Sequence, residues 1–389
     1  MTSPSSVLDD NLLQTFVERT QVYDRENRFF AEDFEDLRKA GYLVGPVPQE
    51  LGGRGLSLLE SCREQRRLAY YAPATALGVN MHVYWLGVAA DLWRAGDTSL
   101  EWMLTEAMDG EIFAAGHSER GNDLPVLLST TRATKVDGGY RFTGHKMFGS
   151  LAPVWTRYGL HGIDTDHPDG PQIIHGFLPR DADGYAIKET WDVMGMRATR
   201  SDDVVLEDAF VPDRYIGHIV PAGQGDPFVV ALFAWALLGF AAIYSGVAKR
   251  AIDLTLPVLS KKSSVGLSRS MAYHPGVQNA VAEMVLNYES IDPYLEHTAS
   301  EWSSGVDHGH AWPSKIVATK YHCVEQSWKV VDTAMEVSGG AGMFRGNELE
   351  RLFRDARCGR FHPANSILVH EIVAKTALGI DLGEQPRWG

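Results

Sequence analysis

Apolar residues recur every three or four positions from Asn11 to about Gly110, with charges between them, and this period predicts helices. The run LLQTFVERTQVYDRENRFFAEDFEDLRKAGYL reads as helical up to Gly41. Pro46, Pro48, Gly52, Gly53 and Gly55 then form a turn that feeds a new helix through Ser57. Further helices follow in CREQRRLAYYAP and ATALGVNMHVYWLGVAADLWRAG. After Gly110 the period drops to two, in short runs such as EIFAAGHSE, GYRFTGHKMFGSL and DDVVLEDAFVP, with a Gly138-Gly139 hairpin signal. From about Asp226 the helical period returns and holds almost to the end. The pattern predicts an α domain at 1–110, a β domain at 111–222 and a second α domain at 223–389. Without long linkers they pack as one unit, with the ligand cleft between helices and β domain.

One segment complicates this picture. Val229 to Ala248, VVALFAWALLGFAAIYSGVA, is uncharged and roughly long enough to cross a bilayer. Its small residues on several sides, and its place among amphipathic segments, read it as a buried core or subunit-interface helix, with no membrane span. Hydrophobic content of 44% with 22% charged residues fits a globular protein. A net charge of -14 leaves no broad basic surface, so nucleic acid is not an expected partner. Cys62, Cys323 and Cys358 are too few and scattered for a disulfide framework or a CxxC metal site; no metal is expected. The start, MTSPSSVLDDNLLQ, lacks the basic and apolar regions of a signal peptide, and the expectation is a reduced, cytoplasmic protein.

Signatures such as GxSxG, HExxH and the P-loop are missing, as is a GxGxxG placed after a strand. His82 and Trp85 sit among aliphatic residues; a core histidine competes with a substrate contact there, and the two stand as pocket candidates. Four pieces remain, in a particular order: QELGGRG, AGHSERGND with GYRFTGHKMFGS, WDVMGMRATRSDDVVLEDAFVP, and SGGAGMFRGNELERLFRDAR. Together they resemble the acyl-CoA dehydrogenase superfamily across nearly the whole chain. That resemblance implies an α+β protein with the acyl-CoA dehydrogenase fold: an N-terminal helical domain, a middle β-barrel and a C-terminal four-helix bundle, assembled as a homotetramer around FAD or FMN.

By the same resemblance, Ser118 stands where a Thr touches the flavin pyrimidine edge, with Arg120 in place of the usual proline. Phe148, Gly149 and Ser150 replace Trp-Ile-Thr, which puts the Ser150 hydroxyl at flavin N5. Lys262 and Val265 replace an Arg and a Phe that reach pyrophosphate and adenine in a neighbouring subunit, while Gln278 is kept. Lysine cannot fork two phosphate oxygens and valine cannot stack on adenine, so tight FAD binding is not expected. Gly339 and Gly340 match the glycine pair that lets backbone approach the dinucleotide, although a helix cap explains one of them equally well. Glu350, Arg351, Arg354, Asp355 and Arg357 read as inter-helix ion pairs.

Just beyond, dehydrogenases carry Tyr-Glu-Gly-Thr, whose Glu removes the α-proton of an acyl thioester. The four positions here are His362, Pro363, Ala364 and Asn365. The other place where relatives carry the base is Ala236, and Glu371 lies about two turns further along a helix. Asn365 carries over as a cofactor contact. Monooxygenases of this fold, such as dibenzothiophene monooxygenase and the two-component hydroxylases, place a His in this segment and a Ser near N5. The resemblance therefore implies a flavin-dependent oxidoreductase that uses reduced flavin from a separate reductase, with oxygen, on a small-molecule substrate. In that reading His362 and Ser150 are the catalytic pair. Two alternatives stand beside it: an acyl-CoA or acyl-carrier-protein dehydrogenase with a non-standard base and an electron acceptor, and a non-catalytic subunit of a hetero-oligomer.

Overall fold

The computed structural model describes residues 6–384, so the first residues of the N-terminal stretch discussed above lie outside it. Five helices open the chain: α1 (Asp10–Glu26), α2 (Ala31–Lys39), α3 (Leu58–Tyr71), α4 (Pro73–Arg94) and α5 (Glu101–Met108). The single helix expected up to Gly41 is two. Asn27 takes a left-handed conformation (φ 51°) and turns the chain between them. At Ser57 a capping box starts α3: the Ser57 hydroxyl accepts from the Glu60 N–H, and the Glu60 carboxylate accepts from the Ser57 N–H.

Nine strands follow: β1 (Phe113–Gly116), β2 (Ser118–Glu119), β3 (Arg132–Val136), β4 (Gly139–Gly149), β5 (Arg157–Asp164), β6 (Gln172–Pro179), β7 (Tyr185–Lys188), β8 (Asp202–Pro212) and β9 (Ile216–Pro221). They form one mixed sheet. Its ladder runs β7-β8-β4-β3-β5-β6-β9, an open path where a barrel was expected, with β1 parallel to β5 and β2 antiparallel to β4. Helices then return as α6 (Pro227–Lys261), α7 (Pro275–Glu289), α8 (Ile291–Ser303), α9 (Trp312–Ser338), α10 (Glu348–Cys358) and α11 (Ser366–Leu378).

Helix α6 is the core of the whole arrangement. It is the one described helix long and apolar enough to cross a membrane by length and composition, yet 83% of its most apolar window is buried inside the protein. It packs on α3 and α4 on one side and on α9 on the other. Gly87 of α4 permits the closest approach: a Cβ there would lie 2.1 Å from the Trp235 ring. The Trp235 and Trp302 indoles both donate to Asp91 Oδ2, at 2.6 and 2.8 Å, which satisfies a carboxylate that burial would otherwise penalise.

Helix α10 joins the three regions. Arg354 pairs with Asp24 of α1 (2.7 Å) and Glu350 (2.7 Å), and donates to the Met194 carbonyl (2.7 Å). Asp355 accepts from the Met196 N–H at 2.6 Å and is held by Arg351 at 3.3 Å. These ion pairs pin the 191–196 loop between the sheet and the helices, and that loop walls the site described next.

Candidate functional site

A cavity of about 430 Å³ opens where the sheet, α4, α6 and the α10–α11 loop meet. Ser118, Phe148, Ser150 and His362 all line it, so four of the site residues expected from the sequence come together. Its walls are largely apolar, from Met81, Trp191 and Phe240 among others, and no Asp or Glu is among the described residues that line it. Pro363 and Ala236, the two positions where the family resemblance puts the base of an acyl-thioester dehydrogenase, both line it. Glu371 does not; its carboxylate meets Lys375 at 2.9 Å on α11.

The sheet side of the cavity is delivered by the ends of β1 and β4. Phe148 has a left-handed backbone (φ 59°) that lifts it from the ladder, half-exposed, with its ring edge-on to Trp191 at 5.9 Å. Ser150 is buried just beyond, its hydroxyl 2.7 Å from that of Ser201. Ser201 in turn lies 2.8 Å from the Thr199 hydroxyl, which donates to the Met196 carbonyl at 2.9 Å.

Beside Ser118 stands a buried ion pair, which sequence reading missed. Lys146 Nζ lies 2.6 Å from Glu119 Oε1 and 2.6 Å from the His161 carbonyl. The carboxylate also accepts from the Thr131 hydroxyl (2.6 Å), the Ser129 hydroxyl (2.8 Å) and the Thr130 N–H (2.8 Å). Burial alone would raise Glu119, but the Lys146 charge and these donors outweigh it and bring the carboxyl down to about 2. Burial pulls Lys146 down to about 8, with Glu119 opposing. Lys146→Met would leave Glu119 buried without its cation, and we expect a loss of about 3–5 kcal/mol of stability by urea unfolding at pH 7.

His362 forms the opposite wall. Its ring stacks on Phe240 (4.5 Å, 13°) and its Nε2 lies 2.8 Å from the Tyr244 hydroxyl. Burial, with the Lys320 cation adding to it, pushes the imidazole down to about 3, so it is neutral at ordinary pH. Burial also raises the Tyr244 phenol well above its usual range, so that hydroxyl keeps its proton. With Nε2 its one hydrogen-bond partner among the described residues, that hydroxyl donates there, and the His362 proton sits on Nδ1. Lys320 underlies the loop, donating to the His362 and Ala364 carbonyls at 3.0 Å each. His362 does not cap α11; that task falls to Asn365, whose side chain accepts from the Leu368 N–H at 3.0 Å.

The other expected residues lie elsewhere. Lys262 and Gly339 meet each other: the ammonium donates to the Ser338 carbonyl at 2.9 Å, beside Gly339, which ends α9 with φ 67°. Gln278 donates to the Ala272 carbonyl at 2.9 Å, and Gly340 is exposed. None of these four, nor Asn365, lines the cavity. His82 and Trp85 do not line it either. His82 Nδ1 accepts from the Phe113 N–H at 3.0 Å, with burial holding the ring down to about 4, and the Trp85 indole donates to the Ala114 carbonyl at 3.1 Å. Both are core fastenings between α4 and β1. Sequence reading missed His117, Tyr244 and Ser201, all in or touching the wall; His117 and Ser201 stood inside quoted motifs, but only the fold aims them.

The residues fit an isoalloxazine ring. The apolar walls suit its faces, while the Ser118 and Ser150 hydroxyls and the buried, unpartnered His117 Nε2 suit its polar edge.

Comparisons with known proteins agree on one family. The model of the acyl-CoA dehydrogenase N-terminal domain matches residues 10–100, and that of the C-terminal domain matches residues 223–376. A Bacillus subtilis protein named as an acyl-CoA dehydrogenase, YdbM, is 29% identical over 356 residues, 90% of this chain and 91% of its own length. The amino sugar nitrososynthase DnmZ of Streptomyces peucetius is 28% identical over 376 residues, 92% of this chain and 88% of its own. Among solved structures, KijD3 in complex with FMN and a dTDP-linked amino-keto sugar superposes with a TM-score of 0.85 at 22% identity, covering 98% of this chain and 95% of that one.

Proposed function

Given that this chain belongs to the acyl-CoA dehydrogenase superfamily of flavin-dependent oxidoreductases, we propose that it is a monooxygenase that takes reduced FMN or FAD and oxygen rather than a dehydrogenase of acyl thioesters. One observation carries this reading. Both positions where a dehydrogenase base would stand, Pro363 and Ala236, line the cavity, and no described carboxylate joins them there. Loss of a general base costs roughly two to four orders of magnitude, and α-proton abstraction has no carboxylate agent among the described residues of this cavity. His117 is no substitute, since burial, with Lys146 adding to it, holds its imidazole down to about 3. The nitrososynthase relative supports the reading, because a nitroso group is an amine that has gained oxygen.

When bound, reduced flavin supplies the two electrons that turn one oxygen atom into water and leave the other for the substrate. The chain's residues do the rest. Ser150 would meet the ring at N5 and Ser118 would meet its pyrimidine edge. Phe148, Trp191 and Phe240 exclude water around it. His362, fixed by Tyr244 and neutral, offers its Nδ1–H as a hydrogen-bond donor to negative charge developing on oxygen; at about 3 it does not act as a cationic acid.

Lys262, Gln278, Gly339 and Gly340 lie off this cavity, and we assign them to the phosphate end of a flavin shared with a neighbouring subunit in a homotetramer. A separate reductase would deliver the flavin, and three free thiols suit a cytoplasmic setting. The discriminating experiment is anaerobic titration of the flavin-loaded protein with acyl thioesters, in which the oxidised flavin spectrum is expected to persist.

A further inference from the structure

The sheet-side wall holds two polar groups whose hydrogen-bonding direction is set by the residues behind them. Thr199 donates its hydroxyl hydrogen to the Met196 carbonyl, which can only accept. In the contact between Thr199 and Ser201, Ser201 must therefore donate. That uses the Ser201 hydrogen, so in the next contact Ser150 must donate to Ser201. Ser150 Oγ is left with lone pairs and no hydrogen for the cavity it lines.

The second group is reached by the same logic. His161 Nε2 lies 3.0 Å from the Leu128 carbonyl and must carry a hydrogen. Burial keeps His161 neutral, so its Nδ1 is bare, and His117 Nδ1, 3.3 Å away, donates to it. His117 is neutral as well, which leaves its Nε2 a bare acceptor, buried and without a partner among the described residues. The two nitrogens of an imidazole point apart, and the ring lines the cavity. Ser118 and Tyr84 also line it, but no chain of bonds fixes their hydroxyls, so they turn to suit either kind of partner.

We infer that Thr199 and Ser201 set the redox preference of this wall: they make Ser150 Oγ a hydrogen-bond acceptor that matches the reduced form of a flavin and not the oxidised form, while His117 Nε2 offers a second acceptor to a ring N–H. Resting on the proposed placement of Ser150 at N5, the discrimination is direct. N5 carries a hydrogen in the reduced ring and a lone pair in the oxidised one, so only the reduced ring satisfies Ser150. A site of this polarity captures flavin after a reductase has reduced it and lets it go once it is oxidised. The polarity comes from the carbonyls of Met196 and Leu128, which terminate the two chains and cannot be reversed.

The test is the ratio of the Kd for oxidised FMN to that for dithionite-reduced FMN, both measured anaerobically by fluorescence titration. The wild-type ratio is expected to be about tenfold or more, the scale of one hydrogen bond made or left unmade. Ser201→Ala removes the acceptor for Ser150, freeing that hydrogen to face N5, and should lower the ratio by about fivefold, mainly through tighter oxidised FMN. Thr199→Val should move it the same way, since Ser201 can then donate back to Ser150. Both affinities come from one preparation, so partial unfolding cancels in the ratio. A wild-type ratio near one or below, a ratio unmoved in both variants, or no uptake of either form overturns the inference. If the ratio holds while an acyl thioester bleaches the flavin anaerobically, the selectivity stands and the monooxygenase reading falls.

Discussion

Replacing His362 with alanine is expected to raise hydrogen peroxide release from protein-bound reduced flavin in air by roughly tenfold to a hundredfold, the worth of one hydrogen bond to a charged group. The imidazole is held at three points: Phe240 under its face, the Tyr244 hydroxyl on Nε2, and the Lys320 ammonium on the carbonyl of the same residue. What those contacts fix is a neutral ring with its hydrogen on Nδ1. Alanine removes that donor and opens a gap beside Phe240 through which water can enter. His362→Asn keeps a side-chain donor of similar reach and should restore part of the wild-type behaviour. Tyr244→Phe keeps the donor but frees the ring, so its effect should fall between the two. Peroxide is read by a coupled peroxidase assay after mixing with oxygen; equal release from wild type and His362→Ala would remove His362 from the chemistry.

A second large effect is expected in stability against pH. Burial lowers six histidines, His322 among them, and five of these are pushed far down: His82 to about 4, His117 and His362 to about 3, and His161 and His175 well below their ordinary range. In the unfolded chain they titrate near 6.5. Below that pH the unfolded state binds more protons, so stability is present above pH 6.5 and is lost as pH falls. Three buried carboxyls oppose this. Asp33, raised by burial to about 6, holds a proton in the folded state that the unfolded chain releases, and Asp91 and Asp355, shifted upward by burial, can each oppose by at most one proton more. Five against three leaves at least two net protons near pH 5, or about 2.7 kcal/mol lost per pH unit. With a total stability of order 5–15 kcal/mol, urea midpoints should fall steeply between pH 6.5 and 4.5. His175→Phe should flatten that slope by about one proton, or about 1.4 kcal/mol per pH unit. A midpoint unchanged between pH 7 and 5 would contradict the assigned neutral histidines.

Particular residues show how far the sequence reached. The glycine pair and the RDAR helix pointed to the fold; of the inter-helix ion pairs expected there, Arg354 makes one with Asp24 of α1, while Arg351 and Asp355 pair within α10 and Asp355 accepts from the 191–196 loop. The order of motifs also led to Ser118, Phe148, Ser150 and His362, which converge on one cavity because β1, β4 and the α10–α11 loop end at the same place. Three things were not legible. The turn at Asn27 depends on one left-handed residue inside an uninterrupted helical pattern. His82 stood open between core and pocket because periodicity cannot tell which neighbour a buried imidazole will serve, and the Phe113 N–H claims it for the core. The directed chain from Ser150 to Met196 joins residues about fifty positions apart, a proximity no local pattern records.

Among its described residues this cavity holds no carboxylate for taking a proton from an acyl thioester. The decisive measurement loads the protein with oxidised flavin, excludes oxygen, adds short, medium and branched acyl-CoA in turn, and follows absorbance near the flavin maximum. The flavin is expected to stay unbleached over an hour with every thioester, because Pro363 and Ala236 line the cavity where the family resemblance puts the carboxylate. Bleaching within seconds to minutes, with the enoyl product formed, would contradict it.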